Sequence, residues 1–466
     1  MSGESKFFAQ FGGSAAGSSN AVTTASNIGT GVGVFKQKVL QDLEFKTLLE
    51  AKGISIAESI SGEEVEIGLS TDVVGIADGT GWYTFYNSVS DAISDATAGQ
   101  TITFFTNILE TNSVSLQLKD RVTFDLNGYS YQLDVPDGTN MFDIPIDFVS
   151  VKFINGALYR TKAVQTTDTN GQIFRLENGF ELTFDSSFVI SNDLGSIMST
   201  KGKNSQKVYG GIWLGGNETL GYAIDSSNVN FQNSIFYSET IISGGILQNC
   251  IVWNPSVEDV YATTTNGGSY DNCTIRGTNG ANINGSQLNN CSVYAITIGV
   301  YATSESIVNN CTIYGGGQAL SIITDVSETN PCRASNTSVI ASNTPALYVD
   351  NSVISNCHFE TTTGVVPTPA YTIYLLGETI ISNCTIYNGF SGSSAIGILI
   401  DSDNSIIANN TITMESTDGY CIQGSSSNTA FLSSNVGIGT SIMIDTSNLT
   451  NSQTITPDLY GNILIG

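Results

Sequence analysis

Carboxylate side chains recur through the second half of the chain at spacings that a coiled fold would bring close together. A pair of carboxylates can hydrolyse a glycosidic bond when the two groups stand about 5–9 Å apart. Strands of a sheet lie about 4.8 Å apart, so acids one repeat apart in sequence could form such a pair. The candidates are Asp225, Glu239, Glu258, Asp259, Asp271, Asp325, Glu328, Asp350 and Glu360. None stands in a recognisable motif, and in a chain of net charge −26 we interpret them as surface acids.

Two further groups could carry chemistry, and each has a plainer explanation. His358 is the only histidine, and a catalytic base there would need an ordered partner, for which Arg333 lies one repeat earlier. An exposed strand residue is the favoured interpretation. The segment 401–404 (Asp-Ser-Asp-Asn) could contribute to a calcium site, but it lacks the other ligands of a calcium loop and is better explained as a polar turn. We therefore predict no metal site and no cofactor.

The charges of the chain are distributed unevenly. Its pI is about 4.1, and after Lys207 the only cationic side chains are Arg276 and Arg333. Such a chain repels phosphate, so we expect no nucleic-acid partner. No apolar run is long enough to cross a membrane, and the N-terminal stretch lacks the apolar core of a secretion signal. We expect neither membrane insertion nor a signal peptide.

The cysteines reveal an internal repeat. All eight lie after Thr240 without a Cys-x-x-Cys pair, and six follow an Asn in a shared four-residue frame. These frames begin at Asn249, Asn272, Asn290, Asn310, Asn356 and Asn383, and two more, with Thr or Asn in place of Cys, begin at Asn336 and Asn409. The second positions of successive frames are 18 to 27 residues apart. A unit of this size must stack on its neighbours to bury its apolar face.

The residue pattern within each frame indicates a β-strand. Cys points inward, the next residue outward, and the Ile, Val or Phe after it inward again. The Asn before the strand suits a tight bend, because Asn tolerates left-handed backbone angles. We interpret the cysteines as small apolar residues stacked coil on coil, with metal binding or redox chemistry as the alternative. Because the repeats are uneven in length, we predict an all-β fold, a right-handed parallel β-helix of pectate-lyase-like type, over residues 101–466.

A short helix is predicted to cover the first coil of this β-helix. Ser88 and Asp91 resemble a capping box, in which Ser88 accepts from first-turn amides and Asp91 reaches back to the N-cap. Gly99 would stop the helix. The apolar face consists of Val89, Ala92, Ile93 and Ala96. A cap of this kind protects the strand edges that the first coil would otherwise expose. We assign residues 71–100 to a linker and this cap.

Planar side chains recur at one outward position of the repeat. Three residues after each frame cysteine stand Trp253, Arg276, Tyr294, Tyr314, Glu360 and Tyr387. They are predicted to form a band along one outer face of the β-helix. Rings exposed on an acidic, hydroxyl-rich surface indicate a partner, so the band could stack on sugar rings or contact sister subunits. The alternative is mutual stacking that only stabilises the sheet.

The N-terminal part differs from the repeat region. Residues 1–26 are rich in Ser, Gly, Ala and Thr and contain Phe7, Phe8 and Phe11, which indicates either a free tail or a docking peptide that orders when its aromatic rings enter a groove on a partner. Residues 27–70 contain short strands separated by turns. The run Asn-Ile-Gly-Thr-Gly, followed by Val-Phe-Lys-Gln-Lys, Leu-Glu-Phe-Lys-Thr-Leu and Gly-Ile-Ser-Ile, resembles the stalks of bacteriophage tail fibres and tailspikes.

This resemblance implies a homotrimeric virion appendage with an intertwined stalk, anchored through its N-terminus to a tail or capsid protein. It implies a location on the virion, and outside the cell after release. The first functional hypothesis is a fibre that adsorbs to a host-surface glycan or other receptor. The alternatives are a tailspike depolymerase, acting as a polysaccharide hydrolase or lyase, and a capsid-attached decoration fibre. A free polysaccharide-degrading enzyme is disfavoured, because it would need a secretion signal.

Overall fold

The computed structural model describes residues 73–445 and 462–465 with short gaps, together with the backbone of five strands between residues 24 and 69. The gaps lie at 78–82, 113–114, 136–138, 145–147, 162–171, 177–178, 193–196, 201–205, 216–223, 228, 238–239, 244, 256–260, 325–327, 329, 343–344, 363–369, 393, 426–428 and 440–441. Phe7, Phe8 and Phe11 lie outside the described residues.

The N-terminal segment contains short strands where the sequence predicts them. Strand Asp42–Leu48 pairs antiparallel with Val32–Val39 and parallel with Thr24–Ile28. Strand Ile54–Glu58 pairs antiparallel with Val65–Leu69. The register of the first pair shifts at a bulge between Phe35 and Gln37. Their intertwining in a trimer stays a prediction.

A helix at Val89–Asp95 covers the start of the β-helix, as predicted. The Ser88 hydroxyl accepts a hydrogen bond from the Asp91 amide at 3.0 Å, which satisfies one of the free donors of the first turn. The Asp91 carboxylate accepts from the Ser88 hydroxyl at 2.7 Å, where the sequence predicted a bond to the N-cap backbone. The predicted apolar face is buried, and Gly99 follows the helix with φ +90°. Strand Val74–Ala77 pairs antiparallel with Thr101–Phe104 and so covers the outermost strand edge.

The body is a parallel β-helix, because each later strand pairs with the strand about one repeat away rather than with its neighbour in sequence. Three long sheets result, and we number them in the order in which each coil visits them. Within the described residues sheet 1 has 17 strands, sheet 2 has 16 and sheet 3 has 15.

Sheet 1 begins with the antiparallel hairpin and continues in parallel. Its strands are Val74–Ala77, Tyr83–Tyr86, Thr101–Phe104, Val122–Asp125, Val149–Ile154, Phe180–Phe184, Gln206–Tyr209, Val229–Gln232, Ile246–Gln248, Ser269–Asp271, Gln287–Asn289, Ile307–Asn309, Arg333–Ser335, Val353–Ser355, Ile380–Ser382, Ser405–Ala408 and Ala430–Ser433.

Sheets 2 and 3 are parallel throughout. The strands of sheet 2 are Ile108–Glu110, Ser130–Asp134, Ala157–Thr161, Val189–Asn192, Ile212–Leu214, Ile235–Tyr237, Ile251–Trp253, Thr274–Gly277, Ser292–Ala295, Thr312–Gly315, Ser338–Ala341, His358–Thr361, Thr385–Asn388, Thr411–Met414, Val436–Ile438 and Ile463–Ile465. The strands of sheet 3 are Leu116–Gln117, Phe142–Ile144, Phe174–Leu176, Met198–Thr200, Ile224–Ser227, Thr240–Ser243, Tyr261–Asn266, Asn279–Asn284, Val300–Thr303, Leu320–Ile323, Leu347–Asp350, Ala370–Leu375, Ala395–Ile400, Tyr420–Gly424 and Ile442–Asp445.

Aromatic side chains fill the core of the first coils. Phe124, Phe153 and Phe184 pair in register on sheet 1, and their rings stack at centroid distances of 4.9 and 5.3 Å. Trp213 is fully buried next to Phe184, and its ring nitrogen donates to the Gly210 carbonyl at 3.1 Å. Each buried ring contributes about 2–3 kcal/mol of transfer free energy. In-register stacking thus fixes which strand pairs with which.

Asparagine forms the corner between sheets 1 and 2 in the later coils, as predicted. The eight frame asparagines all have φ between +51° and +58°, in the left-handed region. Several bond to the next coil: the Asn272 amide donates to Asn249 at 2.7 Å, and the Asn310 amide donates to Asn290 at 2.7 Å. Each corner therefore supports its neighbour and fixes where sheet 2 begins.

The residue after each corner asparagine points into the core. The six frame cysteines are 1–3% exposed, and all eight cysteines are free and buried. Burial raises the pKa of the Cys250 thiol well above its usual value and that of Cys421 to about 12, so these thiols stay protonated. The interpretation of the cysteines as stacked apolar residues is confirmed by their burial.

Polar residues continue the same inward column where cysteine is absent. Its members outside the six frames are Ser234, Thr337, Asn410, Asn435 and Asn462. Asn435 accepts from the backbone and side-chain nitrogens of Asn410, both at 3.0 Å, and donates to Ile407 O at 2.9 Å and to Asn462 at 3.0 Å. The last described coils are thus joined by a buried amide ladder.

Candidate functional site

The predicted planar residues lie in a single row on the outer face of sheet 2. Strand pairing places Trp253 opposite Arg276, Arg276 opposite Tyr294, and Tyr294 opposite Tyr314. Glu360 and Tyr387 are paired further along the same row, after Ile340. Side chains in such a row stand about 4.8 Å apart, so they contact one another directly. We call these residues the sheet 2 row.

The sequence prediction missed two members of this row. Tyr237 pairs with Trp253, and their rings lie 5.4 Å apart at an angle of 52°. Ile340 stands between Tyr314 and Glu360. Tyr237 follows Ser234 by three residues, and Ile340 follows Thr337 by three residues. In these two coils Ser or Thr occupies the position at which the other coils have the cysteine from which the band was predicted. The position three residues after the inward column would have identified them.

Ring geometry limits what the sheet 2 row can do. Tyr294 and Tyr314 stack at 5.0 Å with an interplanar angle of 5°, and the Arg276 guanidinium lies 5.2 Å from the centre of the Tyr294 ring. Both faces of Tyr294 are therefore covered by neighbours in the row. Tyr294 and Tyr314 remain 40% and 37% exposed, which leaves ring edges and phenol hydroxyls for solvent. This part of the row offers hydrogen bonds and apolar edges rather than open stacking faces.

The two ends of the row have different surroundings. Trp253 is 46% exposed and is the largest apolar side chain of the row that faces solvent. The Tyr387 hydroxyl donates to the Glu415 carboxylate, and this bond raises the pKa of Tyr387. Tyr387 is thus tied to the next coil, whereas Trp253 presents apolar surface for contact.

A polar groove runs along the outer face of sheet 1 over the same coils. It has a volume of about 480 Å³ and is lined by Ile246, Gln248, Ser269, Asp271, Asn289, Asn290 and Asn309. Strand pairing places four of these in one file, in the order Gln248, Asp271, Asn289 and Asn309. We call this feature the sheet 1 groove.

Hydrogen bonds hold the polar groups of the groove in place. The Asp271 carboxylate accepts from the Asn290 amide at 2.8 Å. The side-chain Oδ1 of Asn309 accepts from the Ser335 hydroxyl at 2.9 Å and from the Asn336 side-chain amide at 3.1 Å. The amide nitrogen of Asn309 is thereby oriented as a donor. Preoriented amides reduce the entropy lost when a polar ligand binds.

The groove and the row are neighbouring surfaces of the same coils. Within one coil Gln248 lies in the groove, Asn249 forms the corner, and Trp253 follows five residues later in the row. The pattern recurs one coil on, with Asp271, Asn272 and Arg276 in the corresponding places. A ligand that lies in the groove can therefore reach the row across the asparagine corner.

Among the acids whose side chains are described, no two of the predicted carboxylates are brought together as a pair. Asp225, Glu239, Glu258, Asp259 and Asp325 lie where no side chain is described. Asp271 lies in the groove, Asp350 ends a strand of sheet 3, and Glu360 belongs to the sheet 2 row. Glu328 stands in the connection before Arg333–Ser335, with its Oε2 atom buried. Among the paired strands described, none of these acids faces another candidate.

His358 and Arg333 are on different faces. Arg333 points outward from sheet 1, where it is paired with Ile307 and Val353. His358 belongs to sheet 2, and its Nε2 lies 3.4 Å from the Glu360 carboxylate. The structure does not bring the two side chains together, because the asparagine corner at Asn336 separates their strands. His358 is a half-buried strand residue beside an acid.

Segment 401–404 uses its polar groups within the fold. The Asp401 carboxylate accepts from the Tyr374 hydroxyl at 2.7 Å, and Asp403 accepts from the Thr429 amide at 2.8 Å. The Asn404 amide donates to Glu378 at 2.9 Å. Across the described residues no group of three or more acidic, histidine or cysteine side chains could hold a metal ion. The segment is the polar turn that the sequence favoured.

No helix in the described part of the chain is long and apolar enough to span a membrane. No family model matches the chain, and no curated protein matches it. Among solved structures it is similar to the A-module of a mannuronan C-5 epimerase from Azotobacter vinelandii, with a TM-score of 0.43 and 12% identity over 65% of this chain and 91% of that module.

Two bacteriophage proteins are also among the similar structures. The tailspike of the E. coli bacteriophage HK620, in complex with a pentasaccharide, has a TM-score of 0.36 and 12% identity over 80% of this chain and 73% of the tailspike. Tailspike protein 3 of bacteriophage CBA120 has a TM-score of 0.37 and 11% identity over 72% of this chain and 56% of that protein. Tailspikes are thus among the structures to which the chain is similar. No activity, ligand or partner transfers at TM-scores below 0.5.

Proposed function

We propose that this chain is the host-recognition protein of a bacteriophage appendage, a tail fibre or tailspike, and that it binds a host-surface polysaccharide through residues 246–315. The observation that carries the proposal is the sheet 1 groove next to the sheet 2 row. A shallow groove that spans four strands, lined by amides and flanked by partly exposed rings, suits a chain of sugar residues. Amides both donate and accept hydrogen bonds, as sugar hydroxyls do.

The magnitudes favour many weak contacts over one strong contact. Each hydrogen bond to a neutral group contributes about 0.5–1.5 kcal/mol, and the groove offers such groups from four successive strands. The exposed face of Trp253 adds apolar contact at the edge of the same surface. Affinity would therefore grow with the length of the bound glycan, as expected for a protein that recognises polymers.

The placement on a virion is part of the same proposal. It is supported by the stalk-like sequence at residues 27–70 and by the aromatic segment 1–26 with Phe7, Phe8 and Phe11. The chain would form a homotrimer, held by residues 1–26 to a tail or capsid protein and displayed outside the cell. Native mass measurement of the full chain tests this part. A trimer is expected, and a monomer would contradict it.

Binding is tested with the full chain against a panel of purified bacterial capsules and lipopolysaccharides by isothermal titration calorimetry. For the glycan that binds, Asn289→Ala and Trp253→Ala are expected to weaken affinity about fivefold or more each, as for the loss of about 1 kcal/mol. Phe431→Ala is the matched control for Trp253, since Phe431 is a similarly exposed ring on sheet 1 in a distant coil. Unchanged affinity in both Asn289→Ala and Trp253→Ala would refute the assignment.

The same incubation distinguishes a binding protein from a depolymerase. Asp271 is a carboxylate within the groove, so a bound glycan would lie next to an acidic group. Chromatography of the incubated polysaccharide is expected to show no shortening. Release of oligosaccharides that stops in Asp271→Asn would assign the depolymerase function instead.

A further inference from the structure

We propose that a cluster of tyrosines and carboxylates on the outer face of sheet 3 binds an ammonium group, either quaternary or a primary amine. The cluster consists of Tyr348, Tyr371, Tyr374, Asp350 and Asp401, and we call it the sheet 3 cluster. It is separate from the sheet 1 groove and the sheet 2 row. Its occupancy can therefore be measured without reference to the glycan proposed above.

Tyr374 contacts both Tyr348 and Tyr371, and in neither pair are the rings parallel. Tyr348 and Tyr374 are paired across neighbouring strands, with ring centroids 5.5 Å apart and planes inclined by 50°. Tyr371 and Tyr374 lie 5.0 Å apart with planes inclined by 30°. All three tyrosines are partly exposed, and inclined rings do not cover one another's faces completely. This contrasts with Tyr294 and Tyr314, whose planes are within 5° of parallel.

A local irregularity brings two of the tyrosines to one face. Tyr371 and Tyr374 are three residues apart, so regular alternation would put them on opposite faces of the strand. Thr372 and Ile373 are both buried between them, and the pairing passes from Tyr371–Ile396 directly to Ile373–Ile398. Thr372 is fixed by a 3.0 Å bond to Thr361. The inward–outward alternation of the strand is thus interrupted at Thr372, and both tyrosine rings face outward as a result.

Two carboxylates border the rings. Asp401 accepts the Tyr374 hydroxyl at 2.7 Å, which orients that ring. Asp350 ends the strand that carries Tyr348, and its Oδ1 atom is buried without a hydrogen-bond partner. A Cβ at Gly377 would lie 1.8 Å from this oxygen, so the next coil covers it. This oxygen is closed to a ligand, so Asp350 contributes its negative charge to the cluster.

The formal charges within the cluster are negative, from Asp350 and Asp401. After Lys207 the sequence contains two lysine or arginine residues, Arg276 and Arg333. Arg276 points outward from sheet 2, and Arg333 points outward from sheet 1. Burial raises the pKa of Tyr348, Tyr371 and Tyr374, which keeps the phenols neutral and their rings intact as π donors. A cation near these rings gains from both the ring faces and the carboxylates.

These features identify the ligand class by its chemistry. An ammonium group over tyrosine faces gains about 0.5–2 kcal/mol from the cation–π interaction, and neighbouring carboxylates add Coulomb attraction. A phosphate or carboxylate ligand would be repelled by Asp350 and Asp401. A metal ion would need more oxygen ligands than the cluster supplies. Ammonium is the remaining class that both the rings and the acids attract.

The test uses choline chloride and its neutral isostere 3,3-dimethylbutan-1-ol, which differ in charge but hardly in shape. Saturation-transfer NMR and titration with the full chain should show choline binding at least tenfold more tightly than the isostere. Tyr374→Leu and Asp350→Asn should each weaken choline binding fivefold or more, whereas Tyr374→Phe, which keeps the ring, should stay within threefold. Tyr387→Leu is the matched control, because Tyr387 also bonds a carboxylate but lies on sheet 2.

Several outcomes would overturn the proposal. Equal binding of choline and the isostere would show that charge is not recognised. Choline binding that survives both Tyr374→Leu and Asp350→Asn would place it elsewhere. Absence of any choline binding would also refute it, while glycan binding in the sheet 1 groove would stand or fall on its own titration.

Discussion

Replacing Asn435 by Ala tests how the last described coils are held together. Asn435 is fully buried, and its side chain makes four hydrogen bonds, to two nitrogens of Asn410, to Ile407 O and to Asn462. At about 1 kcal/mol each, their loss costs about 4 kcal/mol. Part of this cost comes from the Asn410 amide and the Ile407 carbonyl, which stay buried without these partners.

Urea unfolding of the full chain at fixed concentration measures the effect. The midpoint should fall while the slope stays constant, which would show that stability and not the extent of unfolding has changed. Asn330→Ala is the matched control, because Asn330 is exposed and makes a single bond to Glu305. Its expected loss is below about 0.5 kcal/mol.

A second substitution refines the test. Asn435→Cys introduces cysteine, which is the residue found at the equivalent inward position at Cys384. The Asn410 side-chain amide still loses its acceptor in this variant. The double variant Asn410→Cys with Asn435→Cys removes both members, so its cost should be less than the sum of the two single costs. An Asn435→Ala variant as stable as Asn330→Ala would refute the ladder as a source of stability.

Three further predictions concern packing, thiols and charge. Trp213→Ala should cost about 3–5 kcal/mol in urea unfolding, because it empties the core between Phe184 and Phe231; a loss below 1 kcal/mol would contradict the packing. The thiols, Cys250 among them, should not react with Ellman's reagent in the native chain and should all react in urea, and fast native reaction would contradict their burial. Burial raises the pKa of the Asp350 carboxyl above its usual value. The folded chain therefore binds a proton at Asp350 at a pH where the unfolded chain has already lost it. The free energy of unfolding therefore increases as the pH falls through the pKa of the folded state. Asp350→Asn should therefore make the chain more stable at pH 7, with the advantage shrinking as pH falls; a destabilised variant would contradict this.

The sequence predicts the later coils well because two physical requirements repeat together there. Each corner needs a residue that tolerates left-handed backbone, and each following position needs a small inward side chain, so Asn310 and Cys311 mark one coil unambiguously. The helix at Val89–Asp95 is equally legible, since its cap and apolar face are local features. Features that are local or repeated in this way can be predicted without any knowledge of tertiary contacts.

The functional surfaces are less visible in the sequence. The file formed by Gln248, Asp271, Asn289 and Asn309 consists of the residue just before each corner asparagine, so a frame position does identify it. Its residue types vary, however, and no motif draws attention to them. The sheet 3 cluster is harder still, because the connection from sheet 2 to sheet 3 varies in length and Tyr371 and Tyr374 share a face only through an irregularity.

The crystal structure of the full chain with its bound host glycan is the most direct test of the proposed function. We expect sugar residues along the sheet 1 groove, with hydroxyls within hydrogen-bond distance of Asp271, Asn289 and Asn309 and an apolar contact at Trp253. A glycan bound on another face, with the groove open to solvent, would contradict the account.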